Sequence, residues 1–410
     1  MLPVYYSFMP PKSSGPAARP LKEGSTVRIS RRGADRLKQG HVWVYRSDIA
    51  SADGVPPGAL VTVADERGKN LGTALYSSAS QIAVRMISRE GVTDLDGLLR
   101  KRIQDAIAYR ERVVRDTDAF RIVFSEADFL PGLIVDRYND LLSLQVLTQA
   151  MDAEVVRKAV VSELSDRLKP AAIAERVESR VRELEQLPAR SSSLIQGEKN
   201  STIFCMNGVR FHYEAFEGQK TGAFLDQREN YAVAAQYARG EALDMFCYHG
   251  GFALHLAPHC SKVTGVDSSR PALEVAERNA TLNGRDIEWI EANAFDLLRD
   301  YASAGQQYDT IVLDPPAFAK SKSNLATALR GYKELNLRAL RMLRPGGILV
   351  SCSCSYHVSP PAFMDMVTEA SRDAHRNLRI VENRTQAKDH PVLLTVPETS
   401  YLKCIILAVS

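Results

Sequence analysis

The stretch Asp244-Met-Phe-Cys-Tyr-His-Gly-Gly251 decides the fold. It grows out of an apolar run from Ala242 to Phe246, closes on paired glycines, and leads into helical spacing from Gly251 to His259. Strand, tight turn and helix amino terminus form the opening unit of a nucleotide-binding sheet. Such a unit takes an acidic residue about 20 positions on to hold ribose hydroxyls. Asp267 ends the next apolar run, Lys262–Val266, and lies 267 − 244 = 23 residues after Asp244. A tight turn with a surface aspartate is the plainer alternative, and the elements that follow count against it.

From about Ile203 onward, strands and helices alternate. Strands are expected near Ala242 and over Lys262–Val266, Ile287–Glu291, Asp309–Leu313, Ile348–Ser351, Leu378–Glu382 and Leu402–Val409. Helices are expected over Gly251–His259, Pro271–Asn283, Leu325–Leu343 and Pro361–Ala374. Alternation of this kind predicts an α/β fold, a doubly wound and mainly parallel Rossmann-like sheet with helices on both faces, over residues 196–410. Two more segments, Asp314-Pro-Pro-Ala-Phe318 and Ser351-Cys-Ser-Cys-Ser355, follow strand-like runs in the same way. Ligands of open parallel sheets bind beyond the carboxyl ends of the strands, so one cleft is expected to hold all three. Within the first turn, Phe246 and Tyr248 stand where a richer loop would carry glycine. Backbone N–H groups would then approach a pyrophosphate poorly, which favours a cofactor without phosphates, such as S-adenosylmethionine, over a dinucleotide.

At 410 residues, 45% hydrophobic and 25% charged, the chain is long enough for two or three domains. It carries no apolar run near the roughly 18 residues of a membrane span, and its first 20 residues lack a basic region followed by an apolar block. A cytoplasmic protein with no membrane partner is expected. Six cysteines are too few for a disulfide framework, so reduced thiols are the default. His255 and His259 are spaced i, i+4 on a helix, but no Cys-x-x-Cys accompanies them, and no metal is expected.

The net charge is +3, yet residues 1–90 hold 13 Lys/Arg against 7 Asp/Glu, +6, which leaves 3 − 6 = −3 for the remainder. Residues 1–22 read as a disordered Pro/Ser/Gly-rich tail. Residues 23–92 read as a small β-rich barrel or sandwich punctuated by glycines, and 93–195 as an α+β middle domain. In the latter, Glu175–Glu185 is open between a helix and a solvated connector. Arg31, Arg32 and Trp43 sit in the basic, aromatic-interleaved front, a composition that suits phosphates and bases; a solvated strand face is the competing reading.

Taken together these segments resemble the bacterial large-subunit ribosomal RNA cytosine-5 methyltransferase I family, a PUA domain joined to a class I S-adenosylmethionine-dependent methyltransferase. The resemblance rests on Gly40-His-Val-Trp-Val-Tyr-Arg-Ser-Asp48, Leu130-Pro-Gly-Leu-Ile-Val-Asp-Arg137 and Gly218-Gln-Lys-Thr-Gly-Ala-Phe-Leu-Asp-Gln-Arg228. It continues through the Asp244 turn, Asp314-Pro-Pro-Ala-Phe-Ala-Lys-Ser-Lys322, Ser353-Cys-Ser355 and Asp389-His-Pro391. It implies ribosomal RNA as substrate and S-adenosylmethionine as cofactor. It also implies cofactor contacts from Gln227, Arg228, Asp244, Phe246, Gly250, Asp267, Ser268, Asn293 and Ala294, with Asp314 near the transferable methyl. Phe318 and Lys320 are expected at the substrate base. A homodimer is left open.

Carbon 5 of a pyrimidine becomes nucleophilic only after addition at carbon 6, and a thiolate is the side chain best suited to add there. The residues alone leave Cys352 and Cys354 both eligible; the family's Ser-Cys-Ser motif, laid onto Ser353-Cys-Ser355, selects Cys354. Small apolar strand cysteines are the plainer reading. Methylation of an exocyclic amine or a purine nitrogen, through the Asp314-Pro-Pro loop, and a non-catalytic RNA-binding assembly factor are the two alternatives.

Overall fold

The computed structural model describes residues 25–217, 222–319 and 321–410, so the expected tail and Lys320 lie outside the described residues. The carboxyl-terminal part is built on seven strands: β1 (Glu241–Met245), β2 (Lys262–Asp267), β3 (Glu288–Glu291), β4 (Tyr308–Leu313), β5 (Leu343–Ser353), β6 (Leu378–Arg384) and β7 (Lys403–Val409). Their order is β3-β2-β1-β4-β5-β7-β6. Neighbours run parallel from β3 to β5, and β7 is antiparallel to both β5 and β6. The apolar runs that marked these strands are buried on both sides, as parallel strands under two helical layers must be. Ala242, Val312 and Val350 enter one core cluster, while Leu243, Met245, Ile311 and Leu349 enter the other.

Met245 is in register with Leu313, and Leu313 with Ser351. The segments that follow β1, β4 and β5 therefore leave the sheet at one edge, and chain order reverses between β1 and β4. That reversal is where an open α/β sheet opens a ligand crevice. Helices Arg270–Leu282 and Pro360–Asp373 begin cleanly because Ser269 and Ser359 accept hydrogen bonds from Ala272 N–H and Ala362 N–H, each with proline in the first turn. Two helices absent from the sequence reading, Arg228–Tyr237 and Ala294–Ser303, also flank the sheet, and Ser201–Met206 pairs with Val209–Glu214 as a separate hairpin.

The front of the chain forms a six-stranded sheet over Ser25–Ser88. Here the expectation of strands alone is corrected: Arg31–Lys38 is a helix. Ser30 Oγ accepts from Gly33 N–H, and Ala34 and Leu37 are buried beneath it. Four basic residues and a mid-helix glycine left too few apolar positions for the period to show. A second, five-stranded sheet spans Ala119–Gln196 and shares a core with the first, Leu60, Leu75 and Ile87 packing with Leu99 and Ile103 of helix Leu95–Val113.

The charged stretch Glu175–Glu185 is not a solvated connector. Glu175 ends a buried strand and takes both arms of Arg157 (2.7 and 2.6 Å), and Arg182 grips Asp152 at 3.1 Å through both nitrogens. Glu185, fully buried, accepts from Ser77 Oγ (2.8 Å) across to the first sheet. Ser179–Leu184 is a helix, and Glu175, Arg182 and Glu185 face inward and pair while Glu178, Arg180 and Glu183 stay exposed, a division that composition alone does not reveal. No helix among the described residues is long and apolar enough to cross a membrane.

Candidate active site

A cavity of about 820 Å3 opens at the carboxyl edge of β1, β2, β4 and β5. Phe246, Tyr248 and His249 line it after β1, Asp267 and Ser268 after β2, Asp314 to Ala317 after β4, and Cys354 after β5. Gln227 and the hairpin residues His212 to Glu214 close the near side. The turn after β1 is tight: Gly250 N–H returns to Cys247 O at 2.8 Å, and Phe246, Tyr248 and Gly250 have φ of 66°, 50° and 83°. For the two aromatic residues this left-handed backbone costs about 1–2 kcal/mol each. Gly250 admits no side chain, since a Cβ would lie 2.8 Å from Trp289. Asp267 holds the turn in this shape, its Oδ2 accepting from Tyr248 N–H (3.0 Å) and Oδ1 from Ser269 N–H (2.9 Å).

Asp244 lies one layer beneath. Its Oδ2 accepts from Ala253 N–H at 2.8 Å, tying β1 to helix Gly251–Leu256, while its buried Oδ1 has no hydrogen-bond partner among the described residues. Burial, joined by the charges of Asp314 and Asp267, pushes this carboxyl well above the ordinary carboxylate range. Gln227 lines the cavity, with its Oε1 taken by Asn230 and its side chain hydrogen-bonded to Cys352. An acidic cluster with Asp267 and Asp314 on the cavity wall and the Asp244 carboxyl beneath it suits a ligand that carries positive charge together with hydrogen-bonding groups. S-adenosylmethionine, with its sulfonium, ammonium, carboxylate and ribose hydroxyls, fits that set. Asp267 and Gln227 on the wall, with Asp244 beneath, are the residues that would hold it.

On the opposite wall, the Cys354 thiol donates to Pro315 O at 3.7 Å. Ser355 clips the β4 and β5 loops together, its Oγ accepting from Ala319 N–H (3.2 Å) and bonding Tyr332 OH (2.9 Å). Cys352, only two residues away, is 1% exposed and sits opposite Cys404 in the core, where burial pushes its thiol well up. Of the two cysteines in the motif, Cys354 faces the cavity. His249 stacks on Tyr248 (3.7 Å), and burial, with Arg278 nearby, pushes its imidazole down to about 3, so it sits there neutral.

Several residues expected at the site do other work. Arg228 is 2% exposed and bonds Asp389 Oδ1 at 2.9 Å, fixing the helix that follows Gln227. Asn293 caps helix Ala294–Ser303, accepting from Phe295 N–H and Asp296 N–H, and Ala294 is buried beneath it; neither lines the cavity. Phe318 packs on Tyr332 (4.7 Å) and Phe295 (5.8 Å) outside the cavity wall. Trp43 is 1% exposed, its Nε1–H given to Glu126, so it offers no face to a base. Arg31 and Arg32 are exposed on helix Arg31–Lys38, Arg32 paired with Asp48. Phe224, Arg278 and Leu402 line the cavity without having been expected. Tyr248 and His249 lay within the quoted turn and could have been found there; Leu402, distant in sequence, carried no local signal.

A PUA-like domain model matches residues 27–89, and an S-adenosylmethionine-dependent methyltransferase model matches residues 133–407. The chain is 38% identical over 396 residues to the ribosomal RNA large subunit methyltransferase I of Tolumonas auensis, covering 93% of this chain and 99% of that protein. With the protein of the same name from Shewanella denitrificans it shares 39% identity, over 91% and 96% of the two chains. Among solved structures, a putative S-adenosylmethionine-dependent methyltransferase from Streptococcus mutans superposes with a TM-score of 0.80 at 18% identity, over 94% of this chain and all of that one.

Proposed function

The chain belongs to the S-adenosylmethionine-dependent methyltransferases, in the family of the large-subunit ribosomal RNA methyltransferases I, and on that premise we propose that it forms 5-methylcytosine in large-subunit ribosomal RNA. The observation that carries this reading is a half-buried thiol, Cys354, in the same cavity as Asp314 and the acidic cofactor pole. We place the reaction in the cytoplasm, where such a thiol stays reduced.

The sulfur of Cys354 adds to carbon 6 of an extruded cytosine, and the electron pair of the C5=C6 bond passes toward carbon 5 and ring nitrogen 3. Asp314, protonated or hydrogen-bonded, stabilises the charge developing at that nitrogen. When bound, S-adenosylmethionine supplies an electrophilic methyl group, whose bond to sulfur breaks with the pair staying on sulfur. Carbon 5 gains the methyl, a base removes the carbon-5 proton, the C5=C6 bond re-forms, and the C6–S bond breaks to return Cys354 as thiolate. The phenyl ring of Phe318, turned outside the cavity, is not there to sandwich an exocyclic amine, which speaks against the amino-group reading.

Incubation with undermethylated large-subunit RNA and labelled S-adenosylmethionine, followed by nucleoside mass spectrometry, tests the proposal. 5-Methylcytidine is the expected product; a methylated purine or an N-methylated base overturns it. Asp267→Ala removes the clamp on the turn and a cofactor acceptor together. By calorimetry its S-adenosylmethionine dissociation constant is expected to rise about 10- to 100-fold; unchanged affinity would take Asp267 out of the cofactor site.

The first sheet lies against the catalytic part, His41 Nε2 standing 3.3 Å from Glu398 Oε2. Glu398 and Tyr45 both act electrostatically on Tyr356, two residues beyond Cys354. We read the exposed face of helix Arg31–Lys38 as a phosphate contact for RNA entering the cavity. Arg31→Ala and Arg32→Ala are each expected to weaken RNA binding and to lower the slope of log affinity against log salt by about one. Filter binding across a salt series reads this out, and a slope unchanged in the double variant removes the helix from the interface.

A further inference from the structure

Lys403 opens β7 directly opposite Ser353 on β5, beside the turn that carries Cys354. Its ammonium is 7% exposed and donates to Ser355 O at 2.6 Å and Tyr401 O at 2.8 Å. Its hydrogen-bond partners are carbonyls, and among the described residues no carboxylate pairs with it. A buried ammonium satisfied only by neutral carbonyls is costly, and such a cation persists where an anion forms beside it. Burial pulls Lys403 down to about 8, and the negative form of Cys354 acts in the opposite sense, which places the thiol within electrostatic reach. Lys403 is therefore mainly protonated at neutral pH. Of the other titratable groups around the sulfur, Asp314 shares the cavity and in its negative form opposes the thiolate, Tyr332 and Tyr401 are pushed up by burial and stay neutral there, and Asp226 is engaged by the Tyr401 hydroxyl.

We propose that Lys403 is the positioning cation of the active site, holding the Cys354 sulfur as a thiolate before addition and again as it leaves carbon 6. This rests on the reading of Cys354 as nucleophile. The S–H bond breaks with its proton passing to water at the cavity mouth, and the electron pair stays on sulfur beside the ammonium. Lys403 itself neither gains nor loses a proton. It does not line the cavity, so it acts through Cys354 rather than on the substrate.

The test is the pH dependence of iodoacetamide alkylation at Cys354, read by peptide mass spectrometry on the full-length protein, with half-buried Cys205 as internal reference. In Lys403→Met the alkylation midpoint rises by about one pH unit, and the rate at pH 7 falls roughly tenfold. Lys403→Arg, which keeps the charge, retains the wild-type midpoint. S-adenosylmethionine titration of both variants reports an intact cavity. Equal midpoints in all three proteins overturn the proposal, as does a shift in Lys403→Arg as large as that in Lys403→Met, which would mark a packing role. An unshifted midpoint leaves the role of Cys354 standing, whereas full methylation by Cys354→Ala overturns both, since no thiolate would then be required.

Discussion

Cys354→Ala is expected to lose 5-methylcytidine formation by on the order of a thousandfold or more, with S-adenosylmethionine affinity nearly unchanged. The substitution removes one sulfur atom, which donates a long hydrogen bond, 3.7 Å, to Pro315 O. The clip made by Ser355 between the β4 and β5 loops does not pass through that sulfur. Structure and cofactor pole should therefore survive while the covalent route disappears. RNA carrying 5-fluorocytidine sharpens the test, because carbon 5 then holds no removable proton and the C6–S bond cannot be released. Wild type should form a stable protein–RNA adduct on a denaturing gel, and Cys354→Ala none. Cys352→Ala, which empties a core site facing Cys404, should lose some stability and keep the adduct. An adduct that persists in Cys354→Ala and vanishes in Cys352→Ala would exchange the two roles.

The doubly wound sheet was legible because its strands are continuous apolar runs bounded by chemistry-bearing turns, and burial on both faces demands such runs. The β7 strand shows where legibility stops. Nothing local to Leu402–Val409 says that it inserts antiparallel between β5 and β6, yet that insertion brings Leu402 to the cavity and Lys403 to the cysteine turn. The Asp244, Asp267 and Asp314 positions were legible for the same reason as the sheet, since the first two lie at the ends of β1 and β2 and the third directly follows β4; Cys354 follows β5, but the family motif was needed to choose it over Cys352. Arg228, Asn293, Phe318 and Trp43 were not, because whether a side chain turns into a cavity or into a core depends on neighbours far away in sequence. Arg228 and Trp43 each answer to a buried carboxylate, on Asp389 and Glu126, that no spacing connects to them. Helix Arg31–Lys38 was hidden by its own chemistry: the residues that make it a candidate RNA face are those that dilute its apolar period.

The second large effect is on stability, at Asp389. Its fully buried carboxylate receives Arg228 Nη2–H at 2.9 Å on Oδ1 and Arg121 N–H at 2.8 Å on Oδ2, and its carbonyl receives Arg110 Nη2–H at 2.8 Å. One residue thus joins helix Leu95–Val113, the second sheet and the helix after Gln227. Asp389→Ala removes the close counter-ion of the buried Arg228 guanidinium and leaves it only Glu229 at 3.7 Å, a loss of about 3 kcal/mol. For a unit of this size that corresponds to a melting temperature lower by roughly 10 °C. The sign with pH follows from the carboxyl itself. Burial opposes its charged form, but His390 and Arg228 outweigh burial and hold it well below the usual carboxylate range. Its contribution is therefore fully present above the unfolded value of about 4 and is lost as pH falls toward the folded one. Asp226, held low against burial by His390, Tyr401 and Arg121, adds in the same direction. Calorimetric melts of wild type and Asp389→Ala should differ most at pH 6–8 and converge under acid; a gap that stays constant down to pH 3 would mean that the ion pair contributes nothing. Because Arg228 directly follows Gln227, the variant should also bind S-adenosylmethionine more weakly well below its melting temperature, linking this remote carboxylate to the cofactor wall through a single peptide bond.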